Sequence, residues 1–540
     1  MAEDAPWKAK AANKQAAEYA KIPEAWRLSP EFLKGDETSD LGVMDVPAKC
    51  GILNSTELDI TESYTAVSLA TAVQSGKLKA VDVARAFSKR AAIAQQLTSC
   101  LTETFFDHAI QRGEYLDLYL AEHKKPLGPL HGVPISIKDP FNYVGVATTL
   151  GFVSYLDHEL PKENSPLTDI LLELGAILYC KTNIPQTMMT ADSQNNVFGR
   201  TLNPHKLKLG AGGSSGGEGA LVALRGSILG IGTDIGGSIR IPALCCGTYG
   251  FKPSTQRIPY GGQGYAVKPG SPGIPPCAGP LANSFEDLEF LVRHVINAKP
   301  WDRDATAMPF PWRASIAASP QPSLRVGYIH SDPDLPIHPP VARALETSAK
   351  KLSDAGITVV PLKNFPSFKD GMELTSHMFS LDNTRTILSH MTKSGEPIIR
   401  SLQKTMSLIT MRDHYSLEDA FDLNVDRIKY KTQWNKLWVE NNLDVILCPG
   451  AQNTAVLHDD YGPPPYTAVF NLLEYPGVIL PVGFADRNVD TEDIVTPDPA
   501  RTYRSEDVDG APTVIQLVSR NYHDEELVAA AAVIDKALKQ

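Results

Sequence analysis

Residues 210–220 read Gly210-Ala-Gly-Gly-Ser214-Ser215-Gly-Gly-Glu218-Gly-Ala, and residues 230–242 read Gly230-Ile-Gly-Thr-Asp234-Ile-Gly-Gly-Ser238-Ile-Arg240-Ile-Pro242. Thirteen of the chain's 39 glycines fall between Gly210 and Gly250. Glycine permits positive φ and close backbone approach. Two such turns, each presenting serine, point to exposed backbone N–H groups beside hydroxyls. Four readings compete. A phosphate loop needs a lysine after the glycines, and none follows. A dinucleotide fingerprint needs a third glycine, where these turns have Ser215 and Ile235. Gly212-Gly-Ser214-Ser-Gly216 matches G-x-S-x-G literally, but a nucleophile elbow follows an apolar strand, and His205-Lys-Leu-Lys-Leu-Gly is a poor one. The fourth reading is packing turns with solvated serines. It would suffice for one match. It does not suffice for two serine turns 24 residues apart with Asp234 and Arg240 flanking the second.

Serine is a weak nucleophile and needs a base. The chain has 13 histidines. Among them His131 lies nearest a glycine-proline turn and reads as structural. Just beyond it stands Pro134-Ile-Ser-Ile-Lys138-Asp139, a lysine inside an apolar strand-like run. A buried ammonium is costly, so burial would favour the neutral amine, which can act as a base. The other reading is a strand-end lysine that snorkels to water. The segment alone supports both equally.

Outward from these motifs the pattern alternates helix and strand from about Thr61. Val83, Phe87 and Ala94 share a helical face. Ser165-Pro166 predicts a helix start with Ser165 as N-cap, and Gly175 its end. Ala176–Cys180, Leu324–Ile329, Ile357–Val360, Asp444–Leu447, Val478–Val482 and Thr513–Leu517 read as strands, with a helix over Val341–Leu352. Strand, helix, strand at these lengths predicts right-handed crossovers and largely parallel pairing. Residues 1 to about 35 read as a helical extension leaning on a core through Trp7, Tyr19, Ile22 and Trp26. Asp486–Asp509 holds eight acids and three arginines and reads as a solvated surface excursion.

The whole chain has 540 residues, 43% apolar and 21% charged, which excludes dominant disorder. Lys plus Arg is 51 against 62 Asp plus Glu, a net charge of −11. That acidity argues against nucleic acid as a partner. The seven cysteines are widely spaced with no C-x-x-C pair, so neither a zinc site nor a redox dithiol is expected, and the chain reads as reduced and cytoplasmic. The N-terminus lacks a signal-type apolar region, and the run Leu527–Ile534 is far shorter than the ~18 residues a spanning helix needs. No integral membrane segment is expected.

Together these residues resemble the amidase signature family of serine hydrolases, with the fungal acetamidase-type members nearest. Gly212–Ser215 through Asp234-Ile-Gly-Gly-Ser238-Ile-Arg240-Ile-Pro242-Ala243 follows the family signature over about thirty residues. Gly128–Asp139, Lys181–Gln186, Tyr466–Pro476 and Gly510–Gln516 extend the likeness over nearly the whole chain. The resemblance implies an α/β fold: one large domain with a central mixed, mostly parallel twisted sheet covered by helices on both faces. Residues 61–540 would be that domain, and residues 1–60 an N-terminal helical extension. It implies a Ser–cis-Ser–Lys triad with Ser238 as nucleophile, Ser214 as bridging serine after a cis Gly213–Ser214 peptide, and Lys138 as neutral base. The oxyanion hole would be the N–H groups of Ile235, Gly236, Gly237 and Ser238. Ser215, Asp234 and Arg240 would support the turn. Met188, Met189 and Thr190 would line the substrate site, with the Met188 carbonyl facing the leaving amine. No metal and no cofactor is implied. The expected activity is hydrolysis of a small-molecule carboxylic amide to the acid and ammonia or an amine through an acyl-enzyme. Alternatives are carbamate, aryl-amide or fatty-acyl amide hydrolysis with the same triad, then an amidotransferase subunit, then a silent binding protein. Residues 365–435 are the segment available for an apolar channel. A homodimer is the expected assembly.

Overall fold

In the computed structural model residues 5–271, 273–318, 323–409, 411–496 and 502–540 are described. The strands among them are β1 (Leu101–Thr104), β2 (Pro134–Lys138), β3 (Ile177–Thr182), β4 (Gln194–Asn195), β5 (Gly199–Arg200), β6 (Leu229–Asp234), β7 (Tyr249–Lys252), β8 (Cys277–Ala282), β9 (Arg325–Tyr328), β10 (Thr358–Pro361), β11 (Val445–Cys448), β12 (Gly477–Phe484) and β13 (Pro512–Val518). Eleven of these form one sheet in the order β1-β3-β2-β6-β8-β7-β12-β13-β11-β9-β10, and β4 and β5 make a separate ribbon.

The sheet is mixed and flanked by helices, as the sequence implies. Its parallel share is smaller than expected. The pairs β2–β3, β2–β6, β9–β10 and β9–β11 are parallel, while β1–β3, β6–β8, β7–β8, β7–β12, β12–β13 and β11–β13 are antiparallel. The parallel pairs sit at the strand–helix–strand units. The middle of the sheet is closed by chain reversals that apolar runs alone do not announce, because a run buried on both faces reads the same in either direction.

Helix Ala80–Thr98 buries Val83, Phe87 and Ala94 as its spacing predicts. The helix after Ser165 runs Pro166–Glu173, and Gly175 follows it at φ +97°. Ser165 does not cap it with its side chain. Its Oγ instead donates to the Gly262 carbonyl at 2.7 Å and accepts from the Asn142 amide at 2.9 Å, pinning two loops.

At the N-terminus, helix Pro6–Ala20 is followed by Ile22 and Leu28, both in the main core. Trp26 packs on Phe106, with ring centroids 5.8 Å apart. Tyr19 is not a packing residue: it is half-exposed, with the Arg27 guanidinium over its ring. The helix is fastened by Lys14, whose Nζ lies 2.6 Å from both Glu18 and Glu103 of β1.

The acidic stretch 486–509 joins β12 to β13, with residues 497–501 outside the described set. Its described part is not wholly solvated. Asp490 is buried and paired with Arg343 at 2.7 Å, and Tyr503 is buried. A charge run marks average exposure, and one acid in it anchors the loop.

Candidate active site

Lys138 ends β2 and Asp234 ends β6, and these two strands are adjacent and parallel. Their carboxyl ends therefore open on the same edge, where ligands bind in such sheets. The serine turns meet there. Ser214 and Ser215 precede helix Gly216–Ala223, Ser238 precedes helix Arg240–Cys246, and the Ser215 amide donates to the Ser238 carbonyl at 3.2 Å.

Lys138 is fully buried, with Nζ 2.7 Å from Ser214 Oγ and 2.7 Å from Thr233 Oγ1. It does not snorkel. Burial pushes its amine down to about 7, although Asp234, Glu218 and Asp139 pull the other way. The Gly213–Ser214 peptide is cis. A Cβ on Gly213 would come within 2.4 Å of the Thr190 carbonyl oxygen, so only glycine lets the 190 segment lie against this turn. Of the three side chains, Lys138 and Ser214 are 0% and 1% exposed and Ser238 is 8% exposed. Ser238 thus stands nearest to solvent.

Asp234 holds the second turn from below. It accepts from the amides of Gly237 (2.8 Å) and Ile239 (3.1 Å), from Arg240 Nε and Nη2 (both 3.1 Å), and from Asn471 (2.9 Å). Burial alone would raise its carboxyl, but the Arg240 charge and hydrogen bonds hold it well below the usual carboxylate range. Arg240 reaches on to Gln516 of β13 at 2.9 Å and to Asn471 at 2.6 Å. The Gly237 amide, one of the four expected oxyanion donors, is the one that donates to Asp234. Gly237 sits at φ +131°, and a Cβ there would meet Thr467 Oγ1 at 2.3 Å. Thr467 donates to the Gly236 carbonyl at 2.8 Å, fixing the turn from the side of helix Pro465–Leu472. Ser215 Oγ lies 3.3 Å from both the carbonyl oxygen and the amide nitrogen of Thr233.

The 187–190 segment forms a wall. Thr187 (φ +74°) and Met188 (φ +58°) both occupy the left-handed region, sparsely populated for non-glycine residues and often found at functional sites. The Met188 side chain packs against an apolar cluster of Leu150, Phe152, Met391, Ile399 and Leu402. Met189 is half-buried, and Thr190 Oγ1 donates to the Asp192 carbonyl at 2.9 Å. Met391 and Leu402 come from helices Thr386–Ser394 and Arg400–Leu408, and Ile399 stands at the N-cap of the second. Buried Glu396 joins these helices to the wall by accepting from the Val153 amide (2.8 Å), Gln186 (2.9 Å) and Asn196 (2.9 Å). Phe379 lies over the second turn, 3.7 Å from where a Gly236 Cβ would stand.

Several functional neighbours escape the sequence reading. Glu218 is fully buried, accepting from Ser136 Oγ at 2.5 Å and Thr182 Oγ1 at 2.9 Å. Burial pushes its carboxyl up to about 8, against the hydrogen bonds from Ser136 and Thr182. Its signal is a charge inside the small and apolar run Gly216–Ala223. Gln516 and Asn471 are polar residues inside apolar runs, the same signal. Thr233 carries none. His131 is buried, and its Nδ1 accepts from the Leu127 amide at 3.0 Å, far from this chemistry. Among the described residues no group of three or more His, Cys, Asp or Glu side chains is placed to hold a metal ion, and no helix is long and apolar enough to cross a membrane.

A family model described as Amidase matches residues 82–528. An amidase of Gibberella moniliformis is 40% identical over 536 residues, covering 99% of each chain. An acetamidase of Emericella nidulans is 36% identical, covering 98% of each. A solved fatty acid amide hydrolase is 33% identical and superposes with a TM-score of 0.91 over 99% of this chain and 95% of its own. With the paired serine turns and the buried lysine already in place, these likenesses make the chain an amide hydrolase belonging to the amidase signature family.

Proposed function

We propose that the protein hydrolyses carboxylic amides through an acyl-enzyme on Ser238, with Ser214 and Lys138 as its proton relay. The observation carrying this reading is the 2.7 Å contact between a fully buried Lys138 amine and Ser214 Oγ, on the turn bonded to Ser238. Neutral Lys138 accepts the Ser214 proton as Ser214 takes the Ser238 proton. Ser238 Oγ attacks the amide carbonyl, forming a tetrahedral oxyanion. Because Asp234 already engages the Gly237 amide, the oxyanion is left to the amides of Ile235, Gly236 and Ser238. Such preorganised donors contribute about 2.7–4 kcal/mol each in other hydrolases. Lys138 then returns the proton through Ser214 to the leaving nitrogen, and the C–N bond breaks. Water, activated by the same relay, cleaves the ester to release the acid and restore Ser238. Every step uses groups of this chain.

Asp234 and Arg240 hold the turn and carry no proton in this scheme. The apolar cluster behind Met188 favours a second reading of the acyl side: a chain of several carbons rather than acetyl alone. Each methylene that enters it adds about 0.8 kcal/mol of binding, so kcat/KM along a series of linear acyl amides should climb roughly three- to fourfold per carbon until the cluster is filled. A series that falls beyond acetamide would restrict the enzyme to short acyl groups. For the triad itself, a fluorophosphonate should label Ser238, and Ser238→Ala should abolish both labelling and hydrolysis. Labelling at Ser214 would overturn the assignment.

A further inference from the structure

A cavity that shares no residue with the serine turns lies between the N-terminal helix Pro6–Ala20, the turn Val153–Asp157 and the helix Thr386–Ser394. It encloses about 460 Å³, within the range of small-molecule sites. Its apolar lining comes from Trp7 and Val153, which pack in one cluster with Val197 and Phe198. Its charged and titratable lining is lopsided. Lys10, His158, His390 and Lys393 stand there against one acid, Asp157.

That acid is already taken, since Lys10 Nζ lies 2.5 Å from the Asp157 carboxylate. Glu396, the next acid along the chain, is also committed: it accepts from the Val153 amide (2.8 Å), Gln186 (2.9 Å), Asn196 (2.9 Å) and Ser394 Oγ (3.0 Å). His390 brings no charge at neutral pH. Burial holds its ring below the ordinary histidine range, against its hydrogen bond to the Ala266 carbonyl, and Lys393 and His158 push it the same way as burial. Lys393 is thus the ammonium of this cavity that makes no ion pair with any described residue. One such charge selects the class of occupant. A dianion would bring a surplus charge up to Asp157, and a neutral molecule would leave Lys393 as it is. A single carboxylate matches it. The Lys393 side chain is exposed, so its charge contributes modestly and an apolar body must contribute as well. Trp7 offers a flat face for that body, and the Tyr155 and His158 rings stack beside it with centroids 4.2 Å apart.

We propose that this cavity is a second binding site, for an aromatic monocarboxylate whose carboxylate meets Lys393 and whose ring lies against Trp7 and Val153. This inference is independent of the triad. The site backs onto the substrate wall, because Met391, next to His390, packs in the cluster that holds Met188.

Phenylacetate is the probe, titrated into the full chain by calorimetry. Lys393→Gln should weaken its binding about fivefold or more, Lys393→Glu about tenfold or more, and Lys393→Arg should stay within about twofold of the wild type. Lys393 is exposed, so these variants should fold, and circular dichroism checks that they do. Trp7→Ala should weaken binding about fivefold or more through the lost ring contact. Phenylacetate should also shield Lys393 from acetylation by acetic anhydride, read by mass spectrometry, while exposed Lys436 reacts as before. No measurable binding overturns the proposal. Binding that is unchanged in Lys393→Glu, or that leaves acetylation at 393 untouched, places the carboxylate in the serine site instead and overturns it too. Inorganic phosphate that shields Lys393 as well as phenylacetate does would overturn the aromatic class and leave a simple anion site.

Discussion

At residue scale the protein turns on one amine. Lys138 is buried without a charged partner in hydrogen-bond contact, its Nζ meeting two hydroxyls. Its pKa is lowered to about 7 by burial. As the proposed base it works only when neutral, so kcat/KM should rise through pH 7 and level above it. Lys138→Ala should reduce turnover by several orders of magnitude and erase that limb. The same shift bears on stability. In the unfolded chain the amine titrates near its ordinary 10.5, so between about pH 7 and 10.5 the unfolded state binds more protons and stability rises with pH. Near pH 7 and below, the buried amine subtracts several kcal/mol. Lys138→Met should therefore be inactive yet melt a few degrees higher at pH 7, measured by calorimetry. A lower melting temperature would show that its two hydroxyl contacts outweigh its burial. Lys138 was legible in sequence because an ammonium in an apolar strand is costly. Thr233, its second hydroxyl partner, was not, since threonine in a strand is ordinary.

At the scale of elements, the wall beside the serines is tied to a distant segment by a buried carboxylate and the backbone around it. Glu396 joins the segment between the helices Thr386–Ser394 and Arg400–Leu408 to Val153, Gln186 and Asn196. Glu396→Ala leaves the Val153 amide without its acceptor, while Gln186 and Asn196 keep the Pro397 carbonyl, a cost of about 1–3 kcal/mol if no water replaces the carboxylate. We expect KM for a long acyl amide to rise at least about tenfold while kcat for acetamide changes little, read by steady-state kinetics with both substrates. An equal loss of kcat on both would place Glu396 in support of the serine turns instead. Of this wall only the Lys181–Gln186 stretch and the methionines were readable in the sequence. The partner helices lie some two hundred residues away, and no local pattern encodes a pairing across that distance.

At the scale of the molecule, Arg240 is where the two halves of the chain meet. Its guanidinium bonds Asp234 at the end of β6, Asn471 on helix Pro465–Leu472 and Gln516 in β13. The planar fork reaches all three at once, and a lysine ammonium does not. Arg240→Lys should lower kcat about a hundredfold or more, shift the urea midpoint downward and leave KM nearly unchanged. Near-normal kcat would show that Asn471 alone suffices to hold Asp234. Much of the chain's acidic balance lies in the loop between β12 and β13, where Asp490 serves as an anchor through Arg343.

By itself the sequence marked which serines stand on glycine turns, which lysine lies in an apolar run, and which family these resemble. Those features are local, because a residue's burial cost and a glycine's conformational freedom are written in its immediate neighbours. The tertiary structure alone decided the strand directions at the middle of the sheet, the reach of Arg240 to Asn471 and Gln516, and the burial of Glu218 against Ser136 and Thr182. It also decided that the helix Leu417–Asn441 turns Leu417, Phe421 and Ile428 outward. Each depends on which groups a distant segment brings within about 3 Å, or fails to cover, and periodicity along one chain carries no record of that.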